Sequence, residues 1–441
     1  MDVLMNAAKI QKFHSPQIHF AEILHSPQIC FAKIFHSPQI FSTKNYCLLP
    51  IAFCLKIIPL HPELKELNIM DCKEIRHQLH QIAEPSNEEV RTSAYIRQQL
   101  ERFEPTRIVT FPQGHHLLAE YDFGGGGKTV LLRADMDAVR VHETLDLPYK
   151  SESEGVSHKC GHDGHSTIML RVAEMLHQKP LPQGRVLLLF QGAEETGEGA
   201  RQILDSGILD AYSIDCAYAL HNIPAEPAGA IICKPGSFTC SVISCDIVLT
   251  GKTAHAAEPW NAVSPFLAAQ RLTEFVMSLN QRDVLREDFC VATLIEFRVG
   301  SQAYGVAAGD GVLRFTIRTR EDVHLQRIIS EIEHKAKAEA ATENLQCEIR
   351  WLEYFAASNN AEKAVESIKQ CADTLHLTYQ EKPIPFFWGE DFGLFTQHYP
   401  GALFGLGSGI AQPPLHHPDF DFPDEIVETG AGMFYALAVC V

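Results

Sequence analysis

At 441 residues the chain is too long for one ordinary hydrophobic core, and its 46% hydrophobic and 21% charged residues are typical of a globular protein with two domains. The formal net charge of −18, without a long Lys/Arg run, excludes nucleic-acid binding because a polyanion would be repelled. The 13 cysteines form no C-x-x-C pair and no run of about eighteen apolar residues occurs, which excludes a disulfide framework and a membrane span and predicts a cytoplasmic location.

The chain begins with a repeated segment. "HSPQI" occurs three times within residues 14–40, with a period of 11. Such a period can build a helical supercoil, but the proline in each repeat would interrupt the helix. We therefore expect residues 1–69 to form a poorly ordered extension. From Met70 onward the pattern is helical, with a break near Pro85 and a second helix that starts after a capping-type "SNEE".

Three apolar segments are predicted strands that end in polar side chains. They are "TVLLRADMDAV" (129–139), "RVLLLFQGAEE" (185–195) and "CAYALHNIP" (216–224), and a helical pattern over 165–176 separates the first two. Alternating strands and helices predict a mostly parallel sheet that is covered by helices on both faces. The ligand site of such a sheet lies beyond the carboxyl ends of its strands, where these segments carry carboxylates and an imidazole.

The segment "HKCGHDGH" (158–165) follows the first of these strands and concentrates a thiol, three imidazoles and a carboxylate. Cys160 and His162 are spaced so that both can turn toward one point, and this donor set suits zinc, manganese, cobalt or nickel. A polar loop with unrelated histidines explains the segment equally well when it is taken alone. The carboxylates and His221 at the strand ends shift the balance toward a metal site.

The adjacent Glu194 and Glu195 predict a division of roles at that site. One carboxylate can ligate a metal while its neighbour acts as a general base toward a water whose pKa the metal lowers to about 7. The alternative is a solvated helix N-terminus favoured by the helix dipole. That alternative fits less well because the pair follows an apolar strand directly.

Other short signals are misleading. "GGGGKT" (124–129) is similar to a phosphate-binding loop, but that pattern needs glycine where Asp122 stands. We expect a hairpin turn there instead. "DFG" occurs at 122–124 and 391–393 without the remaining kinase motifs, so phosphoryl transfer is not predicted.

The pattern changes from about residue 237. Strands are predicted at 241–251, 289–300, 311–320 and 346–355, with helices at 262–281 and about 323–344. This β-α-β-β-α-β order predicts a ferredoxin-like unit. A helix, a buried strand and a closing helix follow it. We therefore expect one α/β catalytic domain, formed by residues 70–236 and 357–441, that is split by an inserted lid and dimerisation domain over 237–356.

Several segments follow one another in an order that is characteristic of a known family. They are "LLRADMDAV", "HKCGHDGHSTIML", "FQGAEETGEGA", "ALHNIP", "GKTAHAAEP", "GEDFGLF" and "LHHPDF". Over roughly residues 72–441 the chain resembles the dinuclear-metal aminoacylase and carboxypeptidase family of metallopeptidases, in its hippurate hydrolase and indole-acetyl-amino-acid amidohydrolase branch. The resemblance implies hydrolysis of the amide bond of N-acyl amino acids. A dipeptidase or carboxypeptidase on the same core, and a non-catalytic binding paralogue, are the alternatives.

The resemblance also implies roles for individual residues. It implies two divalent metal ions per subunit, manganese or zinc first and cobalt or nickel as further candidates. The implied metal ligands are Cys160 in the bridging position, His162, Glu195, His221 and His416. Glu194 would be the general base, and Asp137 would be an acid that orients a ligand. The neighbouring His417 is the alternative to His416.

Further implied residues belong to the predicted lid, which would also form a homodimer contact. His255, in "GKTAHAAEP", would help to hold the scissile carbonyl, often in the site of a partner subunit. Arg318 would clamp the carboxylate of the substrate, with a surface arginine on a strand as the alternative. The stretch "AYGVAAGDG" (303–311) departs from the "N-V-I-P"-like segment of this branch. The contribution of the lid to oxyanion binding therefore stays open.

Overall fold

The computed structural model describes residues 70–440, so the predicted extension over 1–69 lies outside the described residues. The helices of the described part are α1 Cys72–Gln81, α2 Val90–Glu101, α3 His162–Gln178, α4 Gly199–Asp205, α5 Phe266–Ser278, α6 Asp322–Thr342, α7 Glu362–Thr374, α8 Gly393–His398 and α9 Val427–Cys440. The strands are β1 Arg107–Thr110, β2 Leu117–Asp122, β3 Thr129–Asp135, β4 Arg185–Gln191, β5 Cys216–Pro224, β6 Ile231–Cys233, β7 Gly236–Ser237, β8 Ser241–Thr250, β9 Ala254–His255, β10 Cys290–Val299, β11 Val306–Ala307, β12 Asp310–Thr319, β13 Gln346–Phe355, β14 Asn359–Asn360, β15 Tyr379–Glu381 and β16 Gly401–Gly409. Among these helices none is both long and apolar enough to cross a membrane.

A mixed eight-stranded sheet forms the larger part of the fold. Its order is β1-β2-β4-β3-β5-β16-β6-β15. The four central strands run parallel, because β3 pairs in parallel with β4 and β5, and β5 pairs in parallel with β16. Toward the edges, β2 and β6 pair antiparallel with their central neighbours. The predicted α/β fold with a large sheet is confirmed, and its parallel pairs are those of this central group and the edge pair of β6 and β15.

Burial on both faces explains why the central strands read as continuous apolar runs. In β3, Val130 and Leu132 pack in one core with α1, α2, α3 and α9, whereas Leu131 between them packs in a second core with α4 and α8. A strand whose two faces are both covered is apolar at most of its positions.

The prediction of a hairpin at residues 124–129 is wrong. The strands on either side of it, β2 and β3, do not pair with each other, and each pairs with β4 instead. The glycines therefore connect two strands that are separated by a third.

A four-stranded antiparallel sheet has the order β10-β12-β8-β13. Along the chain its elements follow one another as β8, α5, β10, β12, α6 and β13. Apolar residues of α5 and α6 pack against one face of this sheet, with side chains such as Ile243 of β8 and Phe315 of β12. The opposite face is therefore not covered by these helices.

Buried charges fix α1 to the rest of the fold. Nη1 of Arg76 donates to Asp163 at 3.1 Å and to Asp421 at 3.0 Å. The ring of His80 contacts Asp163 through Nδ1 at 2.8 Å and Glu143 through Nε2 at 3.0 Å. Charges this deeply buried are tolerated only with such partners. The network ties α1 to the start of α3 and to the segment before α9.

The network predicts a pH-dependent contribution to stability. Burial alone would lower the pKa of His80, but its hydrogen bonds to Asp163 and Glu143 raise it from 6.5 to about 9. The contribution of His80 is therefore fully present below about pH 6.5 and is lost as the pH rises through about 9. We expect His80→Gln to lower the thermal unfolding midpoint more at about pH 6 than at about pH 10, with the exposed His177→Gln as the control. An equal decrease of the unfolding midpoint at both pH values would contradict the pH-dependent contribution of His80.

Candidate metal centre

Cys160, His162 and His221 are buried together at the carboxyl edge of the central strands. His162 is the first residue of α3, and Gly161 before it has a φ of +100°, a conformation that side chains rarely adopt. A Cβ at position 161 would also lie 2.5 Å from Asn222. The Sγ of Cys160 lies 3.5 Å from Nε2 of His221. One donor atom from each of Cys160, His162 and His221 lies within 4.8 Å of the other two.

The glutamate pair reaches the same point from the end of β4. The amide of Glu195 donates to Oδ2 of Asp137 at 3.0 Å. Nδ1 of His162 lies 2.9 Å from the carbonyl oxygen of Asp137, which can only accept, so Nδ1 carries the proton. The opposite nitrogen, Nε2, faces Glu194 at 3.9 Å and Glu195 at 3.7 Å. Asp137 therefore orients both His162 and Glu195.

His416 arrives from the loop between β16 and α9. Its φ is +64°, which is uncommon for a residue other than glycine. Its amide donates to the carbonyl oxygen of Lys159 at 2.7 Å. The fully buried ammonium of Lys159 donates to the carbonyl oxygen of Phe420 at 2.7 Å. Two hydrogen bonds thus hold the His416 loop against the segment that carries Cys160.

The side chain of His416, which is half-exposed, turns toward the other donors. Its Nε2 lies 3.3 Å from Oε1 of Glu195. The neighbouring His417 turns away, because its Nδ1 accepts from the amide of Asp419 at 3.1 Å. Of the two adjacent histidines, the structure brings His416 to the cluster.

The cluster has the properties of a site for two divalent cations. Cys160, His162 and His221 form one group of close donor atoms, and Cys160, Glu195 and His416 form a second, so that Cys160 belongs to both. Nε2 of His162 is one of the buried atoms of the described chain that have no hydrogen-bond partner. Buried polar atoms without a partner are costly, and thiolate, imidazole and carboxylate suit a zinc-like ion. The residues present therefore fit a pair of such ions.

The electrostatics point in the same direction. Burial and the carboxylates of Glu195 and Glu194 raise the pKa of the Cys160 thiol well above its usual value. Burial would lower the pKa of His162, but Asp135 and its neighbouring acids raise it to about 10. The protein charges thus create a negative potential that holds protons on the thiol and the imidazole. A divalent cation would relieve this potential.

A second group of buried charges beside the site was not predicted. The guanidinium of Arg133 lies 2.8 Å from Asp135, 2.9 Å from Glu390 and 2.7 Å from Asp391. Asp135 also contacts the buried His165. A charged residue inside the apolar run "LLRAD" and the acidic pair in "GED" are the signals that could have revealed it.

The donor atoms open onto a cavity of 590 Å³ that residues of both sheets line. Arg318 lines this cavity, and its Nη1 donates to the carbonyl oxygen of Phe387 at 3.0 Å. His255 is not among the lining residues. It is exposed on β9, where its Nδ1 accepts from the amide of Ala257 at 3.1 Å. Within one described chain, the structure brings Arg318 but not His255 to the site.

Comparisons with known proteins agree with this geometry. Residues 131–439 match the peptidase family M20/M25/M40. N-acetylcysteine deacetylase from Bacillus subtilis is 30% identical over 370 residues, which cover 83% of this chain and 96% of that protein. N-acetyl-L-cysteine deacetylase from the same organism is 28% identical over 391 residues, covering 87% and 92%. A crystal structure of a dinuclear metal-binding peptidase of the M20 family, also from Bacillus subtilis, is 27% identical with a TM-score of 0.71 and covers 84% of this chain and 97% of that one. The chain therefore belongs to the peptidase family M20/M25/M40 and is a hydrolase that acts on amide bonds.

Proposed function

We propose that the protein is a metal-dependent amidohydrolase that cleaves N-acyl amino acids into a carboxylic acid and a free amino acid, as in the hippurate hydrolase and indole-acetyl-amino-acid amidohydrolase branch. The observation that carries this proposal is the pair of donor groups sharing Cys160 in a cavity that also contains Arg318. The relatives named as deacetylases of N-acetylcysteine support an N-acyl amino acid as the substrate. The free cysteines of residues 70–440 support a cytoplasmic location.

Two divalent cations, manganese or zinc first, would be held by the protein's own donors. The proposed ligands are Cys160, His162, Glu195, His221 and His416. Such ions polarise a carbonyl group and lower the pKa of water. Because the pKa of the Cys160 thiol is raised, the thiol must release a proton when it ligates, and the affinity for the metal should increase with pH.

Glu194 is the proposed general base. Burial raises the pKa of its carboxyl group well above the usual value, and the facing Glu390 and Glu195 raise it further. A carboxylate with a raised pKa can take a proton from the attacking water, hold it and pass it to the leaving amine. Arg318 would bind the carboxylate of the substrate, for which a planar guanidinium is well suited.

The four-stranded sheet with α5 and α6 is the proposed ferredoxin-like lid and dimerisation domain. Its proposed bounds are 237–356, within a catalytic domain of 70–236 and 357–441. His255 would act from this lid in the site of a partner subunit. Its exposure supports this role, and so do the exposed apolar side chains of Trp260, Tyr304 and Val306 on nearby segments.

The substrate class predicts a clear order of rates. Metal-loaded protein should hydrolyse acetyl-, benzoyl- and indole-acyl amino acids faster than free dipeptides, because the proposed site binds one carboxylate and a neutral acyl group. Product release is measured after removal of metal with a chelator and resupply of manganese, zinc, cobalt or nickel. Faster hydrolysis of free dipeptides would identify a dipeptidase instead.

Replacing the general base predicts a loss of turnover without a loss of metal. Glu194→Gln keeps the size of the side chain but removes its basicity, so kcat should fall by at least about a hundredfold. Metal content, measured by plasma mass spectrometry, should equal that of the wild type. The nearby Glu198→Gln is the control and should keep its activity. A Glu194→Gln enzyme with more than about a tenth of the wild-type kcat would refute the role.

The shared thiol predicts a loss of metal. Cys160→Ala removes a donor common to both groups, so fewer metal ions per chain should be retained after reloading. Cys233→Ala, which removes another buried thiol far along the chain in β6, is the control and should retain the wild-type content. Equal metal content in the two variants would exclude Cys160 as a ligand.

A further inference from the structure

One face of the four-stranded sheet forms part of the cavity wall. Its contribution consists of Val242, Ser244, Thr316, Arg318, Glu353 and Phe355. In the register of the strands, Arg318 lies opposite Val242, which lies opposite Phe355. Thr316 lies opposite Ser244 in the next row. This face is the one that α5 and α6 leave uncovered, and it presents one cation and one carboxylate to the cavity.

The carboxylate of Glu353 is placed there by an irregularity of β13. Ser244 pairs with Leu352, whereas Val242 pairs with Phe355, so β13 has one residue more than β8 between the two pairs. Glu353 within this bulge has a φ of +51°. Bulges of this kind redirect a side chain and occur often beside active sites. The hydroxyl of Ser244 donates to Oε2 of Glu353 at 2.7 Å and holds the carboxylate.

Glu353 has no protein cation as a partner within residues 70–440, since its hydrogen bond comes from a neutral hydroxyl. On the same strand, Glu348 pairs with Arg350 at 2.7 Å. Arg318 donates to a backbone carbonyl rather than to a carboxylate. Arg318 and Glu353 lie on the strands that flank β8, about 10 Å apart at the backbone. The cavity therefore offers two opposite charges that do not neutralise each other.

We propose that Glu353 recognises a cationic side chain of the substrate, so that the enzyme prefers N-acyl derivatives of basic amino acids. The inference rests on the proposed function. Arg318 would bind the α-carboxylate, and Glu353 would accept a charge-assisted hydrogen bond from an ammonium or guanidinium group. Lysine, ornithine and arginine carry these two charges at opposite ends of an extended chain. Glu353 is thus a specificity-determining residue, and the bulge in β13 directs its side chain to the cavity.

The test compares N-acetyl-L-arginine with N-acetyl-L-citrulline, which has nearly the same shape but no charge. We expect the wild type to show a kcat/KM at least about tenfold higher for the arginine derivative, a difference of about 1.4 kcal/mol. Glu353→Gln should bring the ratio of the two values close to one. Glu348→Gln, on the same strand outside the cavity, should retain the wild-type ratio. Added salt should reduce the ratio in the wild type.

A charge reversal gives an independent check if Glu353→Gln folds poorly. Glu353→Lys should shift the preference from N-acetyl-L-arginine toward N-acetyl-L-glutamate. A wild-type arginine-to-citrulline ratio of kcat/KM close to one would overturn this inference, and so would a ratio that Glu353→Gln leaves unchanged. In either case, hydrolysis of the citrulline derivative would still uphold the proposed function. Failure of the metal-loaded wild type on every N-acyl amino acid would overturn both. If the enzyme prefers free dipeptides and this preference depends on Glu353, the carboxylate of Glu353 binds the α-ammonium group of a dipeptide. That result would overturn the proposal that it binds a cationic side chain.

Discussion

The parallel pairing of the four central strands is the constraint on which the site depends. In this register Asp135 lies opposite Gln191, and His221 lies opposite Gly405, so the carboxyl ends of these strands reach the same edge. The loops that follow then deliver their carboxylates and imidazoles to one place. A slip of β5 by one residue would put Leu220 or Asn222 where His221 stands. The position of the donors is thus a property of the sheet as much as of the loops.

The loop that carries His416 lies between β16 and α9, where no strand pairing fixes it. Lys159 holds this loop through two hydrogen bonds. Its carbonyl oxygen accepts one from the loop, and its ammonium group donates the other to the loop. The buried ammonium is balanced by Glu143, which also contacts His80 of α1. A buried charge is costly without such partners. The polar network behind the site therefore joins α1, the Cys160 segment and the His416 loop into one unit.

How far the sequence predicts this arrangement depends on whether the information is local. The bounds of β5 match the predicted segment 216–224 because a buried apolar run between polar residues is a strong local signal. The hairpin at 124–129 was wrong because β4, which lies between its two strands, comes from more than fifty residues further along the chain. The bulge at Glu353 depends on the pairing of β13 with β8. The proposed role of His255 would depend on contacts beyond one chain.

The charged groups at the buried end and at the exposed end of the cavity have different roles. At the buried end, acidic groups hold protons on Cys160 and His162, and bound cations would release these protons by supplying the missing positive charge. At the exposed end, the charges of Arg318 and Glu353 do not pair with each other. Water screens both charges until a bound ligand displaces the water. The buried end thus suits bond cleavage, since low polarity strengthens the effect of a cation on a carbonyl group. The exposed end suits discrimination between ligands, because a charge there gains its partner only when the correct molecule binds.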